Sequence, residues 1–248
     1  LGEYNAAAAH LDEAIVLARI SRALTCEAAA LRIRGNVAIS LGECARDLHN
    51  DASGAEREFA RAEALLEQSR TLAERAGDAW GLAKAKHWLG IVALERNDLA
   101  TALAVHEEAL EEFRRLGDQR QICMVVGNIG GIAAAAGDID RARTALAESL
   151  MLADRLRYRW WVGWCLEHAA RVDVDTGAYE RAARLLGASA ALQPATGEPM
   201  RSGVERMRAR AIERIEAHLG AAATAAALAA GASTPLEAII AEALAGAE

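Results

Sequence analysis

Proline is nearly missing from this chain, aromatic residues are scarce, and no long apolar run occurs. The three prolines, Pro194, Pro199 and Pro235, all fall late in the 248 residues, so no proline removes a backbone donor from any earlier helix. Aromatics make up 4% of the chain against a hydrophobic total of 53%, and the filler is alanine, the strongest helix former. No run approaches about 18 uninterrupted apolar residues, so there is no sequence signal for a membrane span. The four cysteines, Cys26, Cys44, Cys123 and Cys165, include no CxxC pair. They read as small buried residues of a cytoplasmic protein, not as a disulfide or zinc framework. Lysine and arginine are outnumbered by aspartate and glutamate, 28 to 35, for a net charge of −7. That balance argues against nucleic acid as a partner, since phosphate neutralisation needs a basic surface.

Catalytic signatures are equally thin. His106-Glu107-Glu108-Ala109-Leu110 opens like the zinc-binding HExxH pattern but has leucine where the second histidine belongs, and His10, His49, His87, His168 and His218 show no ligand spacing. Gly127-Asn128-Ile129-Gly130-Gly131 has the glycine content of a phosphate loop without its lysine, so close helix packing is the better explanation. There is no GxSxG elbow and no P-loop. These residues predict a non-enzymatic chain with no cofactor and no metal.

What the sequence does contain is a period. Arg75-Ala76-Gly77-Asp78 returns as Arg115-Leu116-Gly117-Asp118, and Arg155-Leu156-Arg157-Tyr158 follows at the same interval of 40 residues (117 − 77). Gly90, Gly130 and Ala170 form a column of small residues. Ala62, Ala102, Ala142 and Ala182 form a second, Leu66, His106, Leu146 and Leu186 a third, and Ser69, Ala109, Ser149 and Ser189 a fourth. Turn signals fall at Asn97-Asp98, Gly137-Asp138 and Gly177-Ala178. Each unit is therefore expected to be helix, turn, helix, and a fixed period of this size marks a stack of such units, an all-α solenoid.

Upstream the register needs a shift of 55, which places Gly35 under Gly90 and Ala7, Leu11 and Ala14 under Ala62, Leu66 and Ser69. The excess of 15 (55 − 40) falls between Gly42 and Arg57, where residues 43–56 read as a polar loop around His49-Asn50-Asp51. Such an insertion is either a loop on a binding face or a tolerated surface insertion. The chain opens at Leu1 inside what the register makes a second helix, which predicts a fragment of a longer protein.

Leu89-Gly90, Ala102 and Ala109 carry a resemblance to the tetratricopeptide repeat, although Lys86 stands at its early tryptophan position and its usual period is about 34. The resemblance covers residues 1 to about 192 and implies a right-handed α-solenoid with a concave groove lined by the first helix of each pair. In this register the groove-lining residues are Ala29, Arg32 and Asn36, then Lys84, His87 and Ile91, then Met124 and Gly127, then Trp164, Glu167 and Arg171. The candidate binding residues are accordingly Arg32, Asn36, Lys84, His87, Trp164, Glu167 and Arg171. One end offers cationic and amide donors for an anionic ligand or acidic peptide. The other offers tryptophan, a common interface anchor. Trp80 and Trp160 share a column two periods apart and are explained by packing between units, whereas Trp164 faces the groove.

Residues 193–248 read as a second region of capping helices. Pro194-Ala195-Thr196-Gly197-Glu198-Pro199 predicts a break. A helix over 201–219 carries Arg206, Arg210 and Arg214 on one face, interrupted by glutamates, and reads as a solvated face with ion pairs. An alanine-rich helix follows, and a last helix opens with Thr234 as N-cap and Pro235 at its first position. The series RAARLLGA, break, charged helix, alanine-rich helix and LEAI resembles the C-terminal part of large bacterial regulators that couple an NTPase module to a tetratricopeptide-like sensor, as in LuxR-type and maltose-activator-type transcription factors and some adenylate cyclases. That resemblance implies a cytoplasmic regulatory region that binds a protein or peptide partner or a small-molecule inducer, without membrane contact, and leaves homo-oligomerisation open. A stand-alone tetratricopeptide adaptor or co-chaperone is the alternative.

Overall fold

A computed structural model describes residues 2–196 and 202–245. Among the described residues the protein is all-α, with twelve helices: α1 (Gly2–Ile20), α2 (Leu24–Leu48), α3 (Ala52–Ala76), α4 (Ala79–Glu95), α5 (Leu99–Leu116), α6 (Gln119–Ala136), α7 (Ile139–Arg155), α8 (Arg159–Asp175), α9 (Tyr179–Thr196), α10 (Ser202–Leu219), α11 (Ala221–Ser233) and α12 (Leu236–Ala245). They gather into two compact units, one ending at Asp118 and one beginning at Gln119.

One turn chemistry recurs between helices. Its first residue takes a left-handed conformation, at Arg22, Gly77, Asn97, Gly117, Gly137, Arg157 and Gly177. Two orphan carbonyls of the preceding helix are thereby satisfied, as where Gly77 N–H donates to Glu74 O and Asp78 N–H to Ala73 O. Glycine holds four of these positions because it adopts positive φ without a Cβ penalty. Where aspartate follows, its carboxylate caps the next helix: Asp78 accepts from Gly81 N–H, Asp98 from Thr101 and Asp138 from Arg141.

In the first unit α2 packs on α1, α3 and α4, and α4 packs on α3 and α5. Gly35 admits the side chain of Leu66, and Gly90 faces the ring of His106. These are the first and third sequence columns meeting across a helix pair. The expected polar loop at 43–56 is corrected here: only His49, Asn50 and Asp51 leave the helix, and the extra residues lengthen α2 and α3 to 25 each. The extension is helical because it builds its own contact, in which Gly42 lies under the ring of Phe59 and Ala55 and Phe59 join Ala38 and Ile39 in the core. Polar residues on its outer face gave it the look of a loop.

In the second unit the same seats recur. Gly130 faces Leu146, and Ala170 and Leu186 are both fully buried. The serine column donates to the preceding first helix, Ser149 Oγ to Cys123 O at 2.8 Å and Ser189 Oγ to Gly163 O at 3.2 Å, as Ser69 Oγ does to Ala28 O at 2.7 Å in the first unit. α10 packs on α8, and α11 crosses α9 so closely that Gly187 and Gly231 each face the other helix's backbone. Gly197, Glu198, Pro199 and Arg201, which bear on the expected break and the start of the charged helix, lie outside the described residues, as does Leu1; α9 runs on to Thr196. Thr234 is not the cap of α12. Its hydroxyl bonds back to Ala230 O at 2.7 Å, and the Pro235 carbonyl accepts the first bonds of the helix.

Candidate functional site

In the first unit α2 and α4, both first helices of their pairs, lie side by side. That adjacency brings Arg32 of α2 onto the ring of Trp80, where Lys84 already stands one turn along α4. The Arg32 guanidinium carbon stands 5.1 Å and Lys84 Nζ 5.8 Å from the centroid of Trp80, while Lys84 Nζ is also 5.6 Å from that of Trp88. All three distances are within cation–π reach. Trp80 is 39% exposed and Lys84 buried, so the ring forms the outer face of the cluster. Its indole donates to Asp118 Oδ2 at 2.9 Å. Burial lowers the pKa of Arg32, an effect partly offset by Asp78. Asp78 itself caps α4, so both rim carboxylates already accept hydrogen bonds from the protein.

The other two candidates of this unit differ. Asn36 is half-buried on α2. His87 is buried and stands edge-on to Trp88 and to His106, at 5.3 Å in each case. His106, which opened the incomplete HExxH pattern, is fully buried with Nδ1 2.7 Å from Ala102 O, and burial depresses its pKa to about 4. It is a neutral packing residue in a column that elsewhere holds leucine.

In the second unit the candidates lie deeper than the sequence reading placed them. Trp164 is 7% exposed and stacks on Trp161 at 4.4 Å and on His168 at 3.6 Å. Its faces are spent on that ladder, which corrects its placement as a groove-facing anchor. Glu167 is buried and paired with Arg208 of α10, whose second nitrogen donates to Leu186 O at 2.9 Å. Burial raises the Glu167 pKa, and Arg208 acts against that rise. Arg171 remains partly exposed beside Asp175 at 3.8 Å. α10 therefore lies over the part of α8 that the sequence assigned to ligand. Its Arg214 pairs with Asp175, in line with the expected ion-paired face.

Two features escaped the sequence reading. Trp80, assigned to packing, is the exposed centre of the cationic cluster. Cys26 is exposed, unlike the buried Cys123 and Cys165. An open concavity of about 640 Å³ beside Tyr179, Arg181, Arg184 and Glu242 includes none of the candidate residues, and its guanidinium groups are paired with Asp173 and Glu242. Among the described residues no three His, Cys, Asp or Glu side chains converge as metal ligands, and no single helix is long and apolar enough to cross a membrane.

No known family model matches the chain, and no curated protein matches it.

Proposed function

We propose that the chain is a tetratricopeptide-like solenoid serving as the ligand-sensing and protein-interaction region of a multidomain bacterial regulator, and that it recognises an anionic group at Trp80. The observation that carries this reading is the convergence of Arg32 and Lys84, from two neighbouring first helices, on the exposed ring of Trp80. An aromatic platform with flanking cations binds a carboxylate-bearing ligand through its apolar part and its charge together. The repeated seats of Gly35 on Leu66, Gly90 on His106 and Gly130 on Leu146 support the solenoid reading. Ligand would act by favouring one arrangement of stacked helices, to the extent of its differential affinity for the two states.

Thermal-shift measurement of the intact chain against acidic peptides and small carboxylates, with light scattering for oligomer size, tests the proposal. A stabilising small carboxylate that changes the oligomer and is lost on Arg32→Ala or Trp80→Ala supports the sensor. Stabilisation by acidic peptides alone would favour the adaptor reading. No anion dependence, or binding unaffected by Arg32→Ala, overturns the site.

A further inference from the structure

Arg143 of α7 carries a charge that no carboxylate among the described residues answers. Its Nε is buried without a hydrogen-bond partner, and its Nη2 makes one long bond, to Thr176 Oγ1 at 3.4 Å. Two periods earlier the same register positions hold Glu63 and Arg96 (143 − 63 = 176 − 96 = 80), which form an ion pair at 2.7 Å. One period earlier they hold the neutral Leu103 and Ala136. Where the register carries charge in the first unit, that charge is paired. At Arg143 the cation is present and its counter-charge is not.

The same arginine lines a cleft between α7 and α8, with Ala243 of α12 on a third side. Leu146, Leu150, Cys165 and Val172 form its apolar wall, and all four are buried. The cleft has an origin in the sequence. Ala169 lines it where the earlier units hold Ile129 and Leu89 (169 − 129 = 129 − 89 = 40). Leu89 packs against the core of its own unit, whereas alanine at 169 opens that space. The room is small, about 20 Å³ where one water needs roughly 10–15 Å³, so it suits a tail of a few carbons and not a long chain. Asp173, on the same wall, is neutralised by Arg181, which donates Nε to its Oδ2 at 2.7 Å and Nη2 to its Oδ1. We propose that this cleft binds a short-chain monocarboxylate, its carboxylate paired with Arg143 and its alkyl tail in the space that Ala169 leaves. Pairing of carboxylate with guanidinium supplies charge-assisted hydrogen bonds, and each methylene buried against the apolar wall adds to the affinity. The site belongs to the second unit and is independent of the one at Trp80 in the first.

Calorimetric titration of the intact chain with acetate, propionate, butyrate and octanoate tests this, with butyramide as the uncharged counterpart of butyrate. Saturable binding is expected to tighten from acetate to butyrate and to be at least tenfold weaker for octanoate and for butyramide. Arg143→Gln should weaken butyrate tenfold or more. Ala169→Leu, which restores the bulk of the earlier units, should do the same, with circular dichroism to confirm that both variants are folded. Arg32→Ala should leave butyrate binding unchanged. Absence of saturable binding by any of the acids overturns the proposal, as does equal binding of butyrate and butyramide or of acetate, butyrate and octanoate, comparisons that need no variant. Binding indifferent to Arg143→Gln or to Ala169→Leu overturns it too. Butyrate binding lost with Arg32→Ala but kept with Arg143→Gln would assign the acid to Trp80 and remove the cleft as its site.

Discussion

Gly130 stands against Leu146 so closely that a methyl group on residue 130 would lie 2.8 Å from the leucine Cγ and 3.1 Å from the leucine backbone nitrogen. A side chain can swing aside, but a helix backbone yields only by moving the whole of α7, which is why the column holds a small residue. Gly130→Leu is expected to destabilise the second unit by about 1–3 kcal/mol or more, as overpacking does. Urea denaturation followed through the Trp160, Trp161 and Trp164 fluorescence measures it. An unchanged midpoint would mean that the columns do not meet as described. Glu111→Ala, on the exposed face of α5, should change little.

His106 fills a leucine seat at the expense of a buried ring nitrogen, Nε2, that has no hydrogen-bond partner. Leu66 and Leu146 sit over Gly35 and Gly130 in the same arrangement, so leucine fits at 106. His106→Leu should raise the stability of the first unit by about 1–3 kcal/mol, the typical penalty of an unsatisfied buried group. It should also change the pH dependence. The folded pKa is depressed from 6.5 to about 4, so the unfolded chain binds the extra proton between those values. Stability is then full above about 6.5 and falls as pH drops toward 4, by up to about 1.4 kcal/mol per pH unit for one group. His168, whose pKa is likewise lowered to about 4 by burial, adds the same sign in the second unit. Denaturation across this range, followed by Trp80 and Trp88 fluorescence, should show a flatter profile for the leucine variant.

How much of this was legible in the sequence depended on what constrains each residue. The columns were readable because a helix crossing tolerates only a small residue opposite a large one, a steric rule that leaves its mark at fixed spacing in every unit. The lengthening of α2 and α3 was not readable, since a solvated helical face and a polar loop share the same composition and only Gly42 beneath Phe59 distinguishes them. The tryptophans were misassigned for a related reason. Helix periodicity places Trp164 on the groove side of α8, but its faces are taken by Trp161 and His168, and Glu167 on that side is met by Arg208 of α10, 41 residues away. Trp80 was credited to packing because it shares a column with Trp160. Lys84 lies one turn along the same helix, but the arrival of Arg32 depends on the side-by-side placement of α2 and α4, which no local pattern encodes.

Ser149 joins three groups: its hydroxyl donates to Cys123 O at 2.8 Å, accepts from Trp161 Nε1 at 2.9 Å and touches Cys165 Sγ at 3.3 Å. Ser149→Ala leaves the buried indole N–H without its acceptor and the Cys123 carbonyl without that donor, and is expected to destabilise the unit by about 1–3 kcal/mol. Ser189→Ala removes the longer bond to Gly163 O and a hydroxyl that supports the Glu167 carboxylate, but it strands no buried indole N–H and should have the smaller effect. The pair is compared by urea midpoint. An equal loss for both would show that the indole bond adds nothing beyond the serine column itself.

Arg208 of the charged helix α10 forms an ion pair with the buried Glu167 of α8. Glu167 is fully shielded while Arg208 is partly exposed, so removing the arginine leaves a carboxylate in a site that already disfavours its charge. Arg208→Ala is expected to destabilise the second unit by about 3–5 kcal/mol. The sign of its pH dependence follows from the same geometry. Without Arg208 the carboxyl pKa moves further above 4.5, and a raised acid pKa means that the folded state holds the proton longer than the unfolded one. The stabilising contribution of this carboxyl is then full below about 4.5 and is lost as pH rises through the folded value, so the variant's deficit against wild type should be smaller at about pH 5 than at about pH 8. Adding Glu167→Gln to Arg208→Ala removes the titrating charge and should recover part of the loss at the higher pH, leaving a deficit against wild type that no longer grows with pH. A double-mutant cycle by urea denaturation at both pH values reads this directly. A deficit that does not vary with pH would show that Arg208 supports α10 by packing and by its bond to Leu186 O alone.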